Sequence, residues 1–83
     1  MNLVVLTPER EIYNGGITSV KVPGVNGQFE ILKDHAPIVS SLNKGEVRIL
    51  DEGGQKKTFQ IEKGFIEVLY NEVSLLVQGV EED

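Results

Sequence analysis

The chain has 83 residues, no cysteine, and 13 acidic against 8 basic residues, for a net charge of −5. That length holds a single domain, 1–83, which buries only roughly 60% of the surface exposed when unfolded, with no disulfide framework or thiolate zinc site to support it. The charge argues against nucleic acid, because Lys and Arg must neutralise phosphates and here Arg10, Lys21, Lys33, Lys44 and Arg48 are scattered, with only Lys56 and Lys57 adjacent.

Most of the chain alternates apolar and polar residues between glycine-rich breaks, the period of strands with one face on a core and one in water. Residues 3–6 form an apolar opening strand, and 11–13 a second. Ile17, Val20 and Val22 interleave with Ser19 and Lys21, which predicts a strand over 17–22. Phe29 and Ile31 alternate with Gln28 and Glu30 over 28–32, and a further run covers 38–41. Val47 and Ile49 alternate with Glu46 and Arg48 over 46–51. Glu52-Gly53-Gly54-Gln55 then signals a tight hairpin, since Gly-Gly supplies positive φ. Phe59 and Ile61 mark a strand over 56–62.

Residues 65–78 are ambiguous, because Ile66, Leu69, Tyr70, Val73, Leu76 and Val77 also fit a helical stripe. A hairpin of strands 65–70 and 73–78, hinged at Asn71-Glu72, is preferred: Asn71 is a turn former, Val and Ile abound, and no capping residue precedes Phe65. It leaves Phe65, Leu69 and Leu76 on a second face and predicts cover on both sides. Glu81-Glu82-Asp83 reads as a fraying tail.

The expectation is an all-β fold, a two-sheet sandwich or flattened barrel of about ten short, mostly antiparallel strands. Its expected core is Val5, Val20, Val22, Phe29, Ile31, Val47, Ile49, Phe59, Ile61, Ile66, Val68, Val73, Leu75 and Val77. No apolar run nears the ~20 residues that cross a bilayer, and residues 1–7 lack the basic start of a signal peptide, so a cytosolic chain is expected unless a partner holds it at a membrane.

Little here suggests catalysis. His35 is the only histidine, and Ser19, Ser40, Ser41 and Ser74 lie in no nucleophile-elbow context. Gly24-Val25-Asn26-Gly27 is not followed by Lys and Ser/Thr, as a phosphate loop requires. The carboxylate pairs Glu9/Glu11, Asp51/Glu52 and Glu81/Glu82 read as solvated faces or turns. No catalytic residue, cofactor or metal is expected. In the loop Lys33-Asp34-His35-Ala36-Pro37 two readings compete. One is a plain connector, with Asp34 bonded to its own backbone and His35 capping carbonyls. The other makes His35 a contact presented on a rigid scaffold.

Gly27-Gln28-Phe29-Glu30-Ile31-Leu32 followed by His35-Ala36-Pro37 resembles the amino-terminal domain of the epsilon subunit of bacterial rotary ATP synthases. Residues 3–15, Val20-Lys21-Val22-Pro23-Gly24, Lys44-Gly45-Glu46-Val47-Arg48-Ile49 and Gly64-Phe65-Ile66-Glu67-Val68 are similar to further segments of that family, so the resemblance spans nearly the whole chain. It implies a ten-stranded β-sandwich at the foot of the central stalk, a non-catalytic rotor part of a proton-translocating enzyme. It further implies a peripheral place on the cytoplasmic face of the bacterial plasma membrane.

The partners so implied are the gamma subunit and the polar loops of the membrane (c) ring. Gln28 and His35 would face the ring; Ile12, Val39 and Ser40 would lie on a gamma-facing apolar strip. Gln28 stands where the family usually has an acid, Glu30 where it has Gly, and Lys33-Asp34 where it has Pro-Gly or Pro-Asn. Were Asp83 the natural end, the helical pair that many relatives carry, with its inhibition and nucleotide site, would be missing. A freestanding β-sandwich binding protein or carbohydrate is the alternative. The absence of Trp disfavours it, and a pocket lined by Tyr13 and Tyr70 would revive it.

Overall fold

A computed structural model describes residues 1–82, and every regular element in them is a strand. In chain order these are β1 (Asn2–Leu6), β2 (Glu11–Gly24), β3 (Gly27–Leu32), β4 (Ile38–Leu42), β5 (Gly45–Asp51), β6 (Lys56–Ile61), β7 (Lys63–Leu69), β8 (Glu72–Gln78) and β9 (Glu81–Glu82). The helical alternative for residues 65–78 is gone. Those residues form the β7–β8 hairpin, with Phe65 opposite Leu76 and Val68 opposite Val73.

β2 is one strand of 14 residues where the sequence predicts two. Gly15-Gly16 lets it bend rather than stop, because backbone without Cβ can coil sharply while staying paired. Its first half pairs with β1, its middle with β5 and its last part with β3. A bulge between Ile17 and Ser19 sharpens the turn. β2 therefore belongs to two layers. One is β3-β2-β5-β6-β9; the other is β4-β7-β8-β1 and the start of β2. β1 runs parallel to β8, stitching the opening strand to the late hairpin.

Thirteen of the fourteen expected core residues are buried, and Phe29 is half-buried against them. Leu3, Ile17 and Leu42 join the core unannounced. Leu42 ends β4, where it lies opposite both Gly24 and Gly64 and so closes the gap between the layers. A Cβ on Gly64 would sit 2.8 Å from the Leu76 carbonyl oxygen, so only glycine fits that closing point.

Turn chemistry follows the same economy. Asp51 Oδ1 accepts from the backbone N–H of Gly53 and of Gln55, both at 2.9 Å, and Gly54 takes φ 85°. The β7–β8 turn is Tyr70-Asn71, both at positive φ, one residue earlier than the predicted hinge. Two left-handed residues are what a two-residue type I′ hairpin demands.

The expected fraying tail is instead an edge strand as far as it is described: Glu81 pairs with Gln60 and Glu82 with Phe59. Asp83 lies outside the described residues. Arg10 Nη2 lies 3.2 Å from Glu82 Oε2, and Lys57 Nζ lies 3.5 Å from Oε1. The Arg10 hydrogen bond first, then the Lys57 charge, hold the Glu82 carboxyl below the usual glutamate range. The two cations thus support β9 above the ordinary glutamate range and release it as pH falls through the depressed value. Exposure and salt keep the effect small.

Two measurements check this architecture. Phe59→Ala should cost about 3–5 kcal/mol in urea unfolding, and Phe65→Ala well under half of that, because only the first ring is fully enclosed. Backbone exchange at the β6–β9 edge should quicken on acidification and with added salt, and Glu82→Gln should abolish both dependences.

Candidate functional site

The most distinctive surface is the outer face of β4, β7, β8 and β1. Strand alternation sends Ile66, Val68, Val73, Leu75 and Val77 inward, so the residues between them point out. Cross-strand register then lines up Ser41, Phe65, Leu76 and Leu6 in one row. Phe65, Leu76 and Leu6 are 43%, 50% and 37% exposed. The expected cover on this second face is absent among the described residues, so the stripe is open to solvent. A groove of about 400 Å³ runs along it, lined by Leu6, Pro8, Gly64, Phe65, Leu76 and Gln78 among others. The next row is Val39, Glu67, Ser74 and Val4, where Val39 is 60% exposed and Glu67 interrupts the apolar surface.

Of the three residues expected on this strip, only Val39 lies on the outer face. Ser40 follows it on the same strand and therefore points the other way, opposite Ile66, its hydroxyl donating to the Ser41 carbonyl at 3.2 Å. Ile12 is half-buried against the core. It is the extra residue of the β1–β2 bulge, since Val5 pairs with Tyr13 and Leu6 with Glu11. Phe65 and Leu76, which carry the face, were visible in the sequence as apolar residues left over once the inward alternation was assigned.

Gln28 and His35 stand at opposite ends of β3. Gln28 is exposed beside the Val25-Asn26 turn, opposite Pro23. Four strand steps of ~3.3 Å separate it from Leu32, after which the chain turns into the His35 loop. Glu30 lies exposed at the register position opposite Lys21, so its charge points to solvent rather than the core.

The His35 loop is tied down. The His35 backbone N–H donates to Leu32 O at 3.1 Å, and ring Nδ1 lies 2.7 Å from Ala36 O. A carbonyl oxygen cannot donate, so Nδ1 carries the proton and Nε2 is left as the acceptor or, when protonated, a second donor. Asp34 takes φ 65°. Its backbone N–H donates to Asn71 Oδ1 at 2.7 Å, while Asn71 Nδ2 donates to Asp34 Oδ1 at 3.1 Å. The expected bond from Asp34 to its own backbone is thus replaced by a reciprocal clasp to the β7–β8 turn. That turn is held in turn by Asn2, whose N–H donates to Asn71 O at 2.9 Å.

No cluster of His, Cys, Asp or Glu able to hold a metal occurs among the described residues. Tyr13 and Tyr70 form no common pocket: Tyr13 is half-buried on β2 and donates to Gly16 O at 3.3 Å, and Tyr70 sits at the β7–β8 turn. Burial, reinforced by Asp51 and Glu52, raises the Tyr13 phenol above its ordinary value, which suits a structural hydrogen bond rather than proton transfer.

Comparison with known proteins shows the family to which the whole chain is similar. Residues 1–83 match the profile of the ATP synthase, Delta/Epsilon chain, beta-sandwich domain. The chain is 41% identical over 78 residues to the ATP synthase epsilon chain of Chlorobium limicola, spanning 94% of this chain and 89% of that one. It is 38% identical over 79 residues to the ATP synthase epsilon chain of Protochlamydia amoebophila, where it spans only 54% of the relative. In structure it superposes with TM-score 0.89 on a chain from the cryo-EM structure of the Euglena gracilis mitochondrial ATP synthase (OSCP/F1/c-ring, rotational state 1). That chain shares 21% identity; the match covers 96% of this chain and 51% of it.

The clasp makes a separable prediction. Asp34→Ala should leave global stability within about 1–2 kcal/mol, the scale of a lost side-chain hydrogen bond. NMR relaxation should nevertheless show residues 33–37 becoming mobile on the nanosecond scale, with the β5–β6 turn unchanged.

Proposed function

We propose, from the premise that this chain belongs to the delta/epsilon β-sandwich domain family of ATP synthases, that it is the non-catalytic coupling block of the rotating central stalk. The observation that carries this reading is the open apolar row Phe65, Leu76 and Leu6 on a sheet whose other face is fully packed. An apolar stripe of this kind on a small domain marks a protein interface. Coupling demands a stiff body joined at two places, and a doubly layered sheet with a close-packed interior resists shear.

The gamma subunit is the proposed occupant of the outer face, with Val39 at its margin. Ile12 and Ser40 act from behind that face, shaping the β1–β2 bulge and β4. The polar loops of the membrane ring are the proposed partner at the opposite pole, where Gln28 and the Val25-Asn26 turn project. His35 follows Asp34, whose clasp to Asn71 ties this loop to the end of the β7–β8 hairpin reached by the outer-face residue Leu69, so this reading moves His35 from the ring contact expected with Gln28 to the shaft contact. In this arrangement the block lies on the cytoplasmic face of the bacterial plasma membrane, held by its partners. Proton flow through the ring and synthesis in the catalytic head are then joined mechanically, with no chemistry in this domain.

A freestanding carbohydrate-binding module is disfavoured by the groove's lining, in which Phe65 is the one aromatic and Thr7, Lys63 and Gln78 stand among apolar residues rather than around a stacking platform.

Titration calorimetry with the cognate gamma subunit should show association at micromolar concentration or tighter. Leu76→Ser and Val39→Ser should each raise Kd, the former by about tenfold, while leaving the melting transition within a few degrees. Failure of the wild-type domain to bind gamma would overturn the reading.

A further inference from the structure

Tyr70 has a strained backbone that nothing inside the domain offsets. Asp34, Tyr70 and Asn71 are the non-glycine residues with left-handed φ among the described residues. Asp and Asn enter that region readily, because their short side chains bond locally. A bulky tyrosine at φ 49° does not, and the first centre of a type I′ turn favours Asn, Asp or Gly. Nor does burial compensate, since Tyr70 is 83% exposed.

The turn persists because its neighbours over-determine it. Asn71 is bound by both polar atoms of its side chain to Asp34 and by its carbonyl oxygen to Asn2, so two other segments hold the hairpin tip in place. The rigid tip presents the phenol at the end of β7, one residue beyond the half-exposed Leu69. Leu69 shares the outward side of β7 with Phe65, and the exposed Glu67 stands between them, so the apolar row and the tip lie on one face divided by the Glu67–Ser74 row.

We propose that Tyr70 is an anchor of the interface on that face, its ring seated in an apolar pocket of the shaft subunit that has a polar group within reach of the hydroxyl. Tyrosine suits such a role, with a wide apolar ring, few rotatable bonds and one polar end. The inference rests on the stalk-coupling reading above and deepens it. It gives the strained turn a function: free-state stability is given up for contact area.

The test is a reversal of sign. Tyr70→Asn relieves the strained backbone, so the free domain should melt higher than wild type. The same variant should bind the cognate gamma subunit about tenfold more weakly. Tyr70→Phe keeps both ring and strain, and should change melting little and affinity only by the loss of its hydroxyl contact. A Tyr70→Asn variant that melts lower, or that binds gamma as tightly as wild type, overturns the proposal. If Leu76→Ser weakens binding and Tyr70→Asn does not, this inference fails while the stalk reading stands. If wild type does not bind gamma at all, both fall. Weakening seen only toward purified membrane ring would assign Tyr70 to the wrong partner and also overturn it.

Discussion

Everything in this domain depends on β2 serving two layers. A strand of 14 residues pairs in turn with β1, β5 and β3, and the bend at Gly15-Gly16 with the bulge before Ser19 carries it across the sandwich. Because the same backbone hydrogen-bonds in both layers, they cannot slide past each other without breaking ladders in β2 itself. The parallel β1–β8 pairing adds a second tie between distant parts of the chain. This is how 83 residues without a cysteine tie both layers into one body.

The alternation of residues made nearly all of this legible. It named the inward residues of β5 to β8 and the hairpin at Asn71, because period two is the direct imprint of a sheet with one buried face. It failed where tertiary pairing overrides local signals. Gly15-Gly16 looks like a break, yet a glycine pair flanked by partners on both sides is a corner. Glu81-Glu82 looks like a solvated tail, yet Arg10 and Lys57 give those charges a place beside β6. Ile12 looks like a surface residue because a bulge shifts its phase, and bulges are set by the partner strand. The Asp34–Asn71 clasp joins residues 37 apart, a distance at which no local pattern operates.

The candidate site was only half legible for a related reason. A resemblance supplies residue positions, but which face each occupies depends on strand phase. Val39 and Ser40 are adjacent in sequence and therefore oppose each other across the sheet. Gln28 and His35 flank one strand and therefore define opposite poles. Phe65 and Leu76 emerge once the core is assigned, since a residue that is apolar and not needed inside is a statement about something outside.

The make-up of the outer face also limits what kind of surface could fit against it. Its apolar row is one residue deep along each strand, bounded on one side by Glu67 and Ser74 and beyond them by Glu72. Glu67 lies between Val39 and Ser74, so an apolar surface laid across both rows would have to desolvate a carboxylate without a partner. A fitting partner must bring a hydrogen-bond donor or cation to Glu67 while its apolar atoms meet Phe65 and Leu76. The domain's negative balance works the same way, repelling copies of itself while the stripe remains free for a surface that answers both features. Selectivity is therefore written into the register of β4, β7 and β8, where a slip of one residue would bury the glutamate and expose the core.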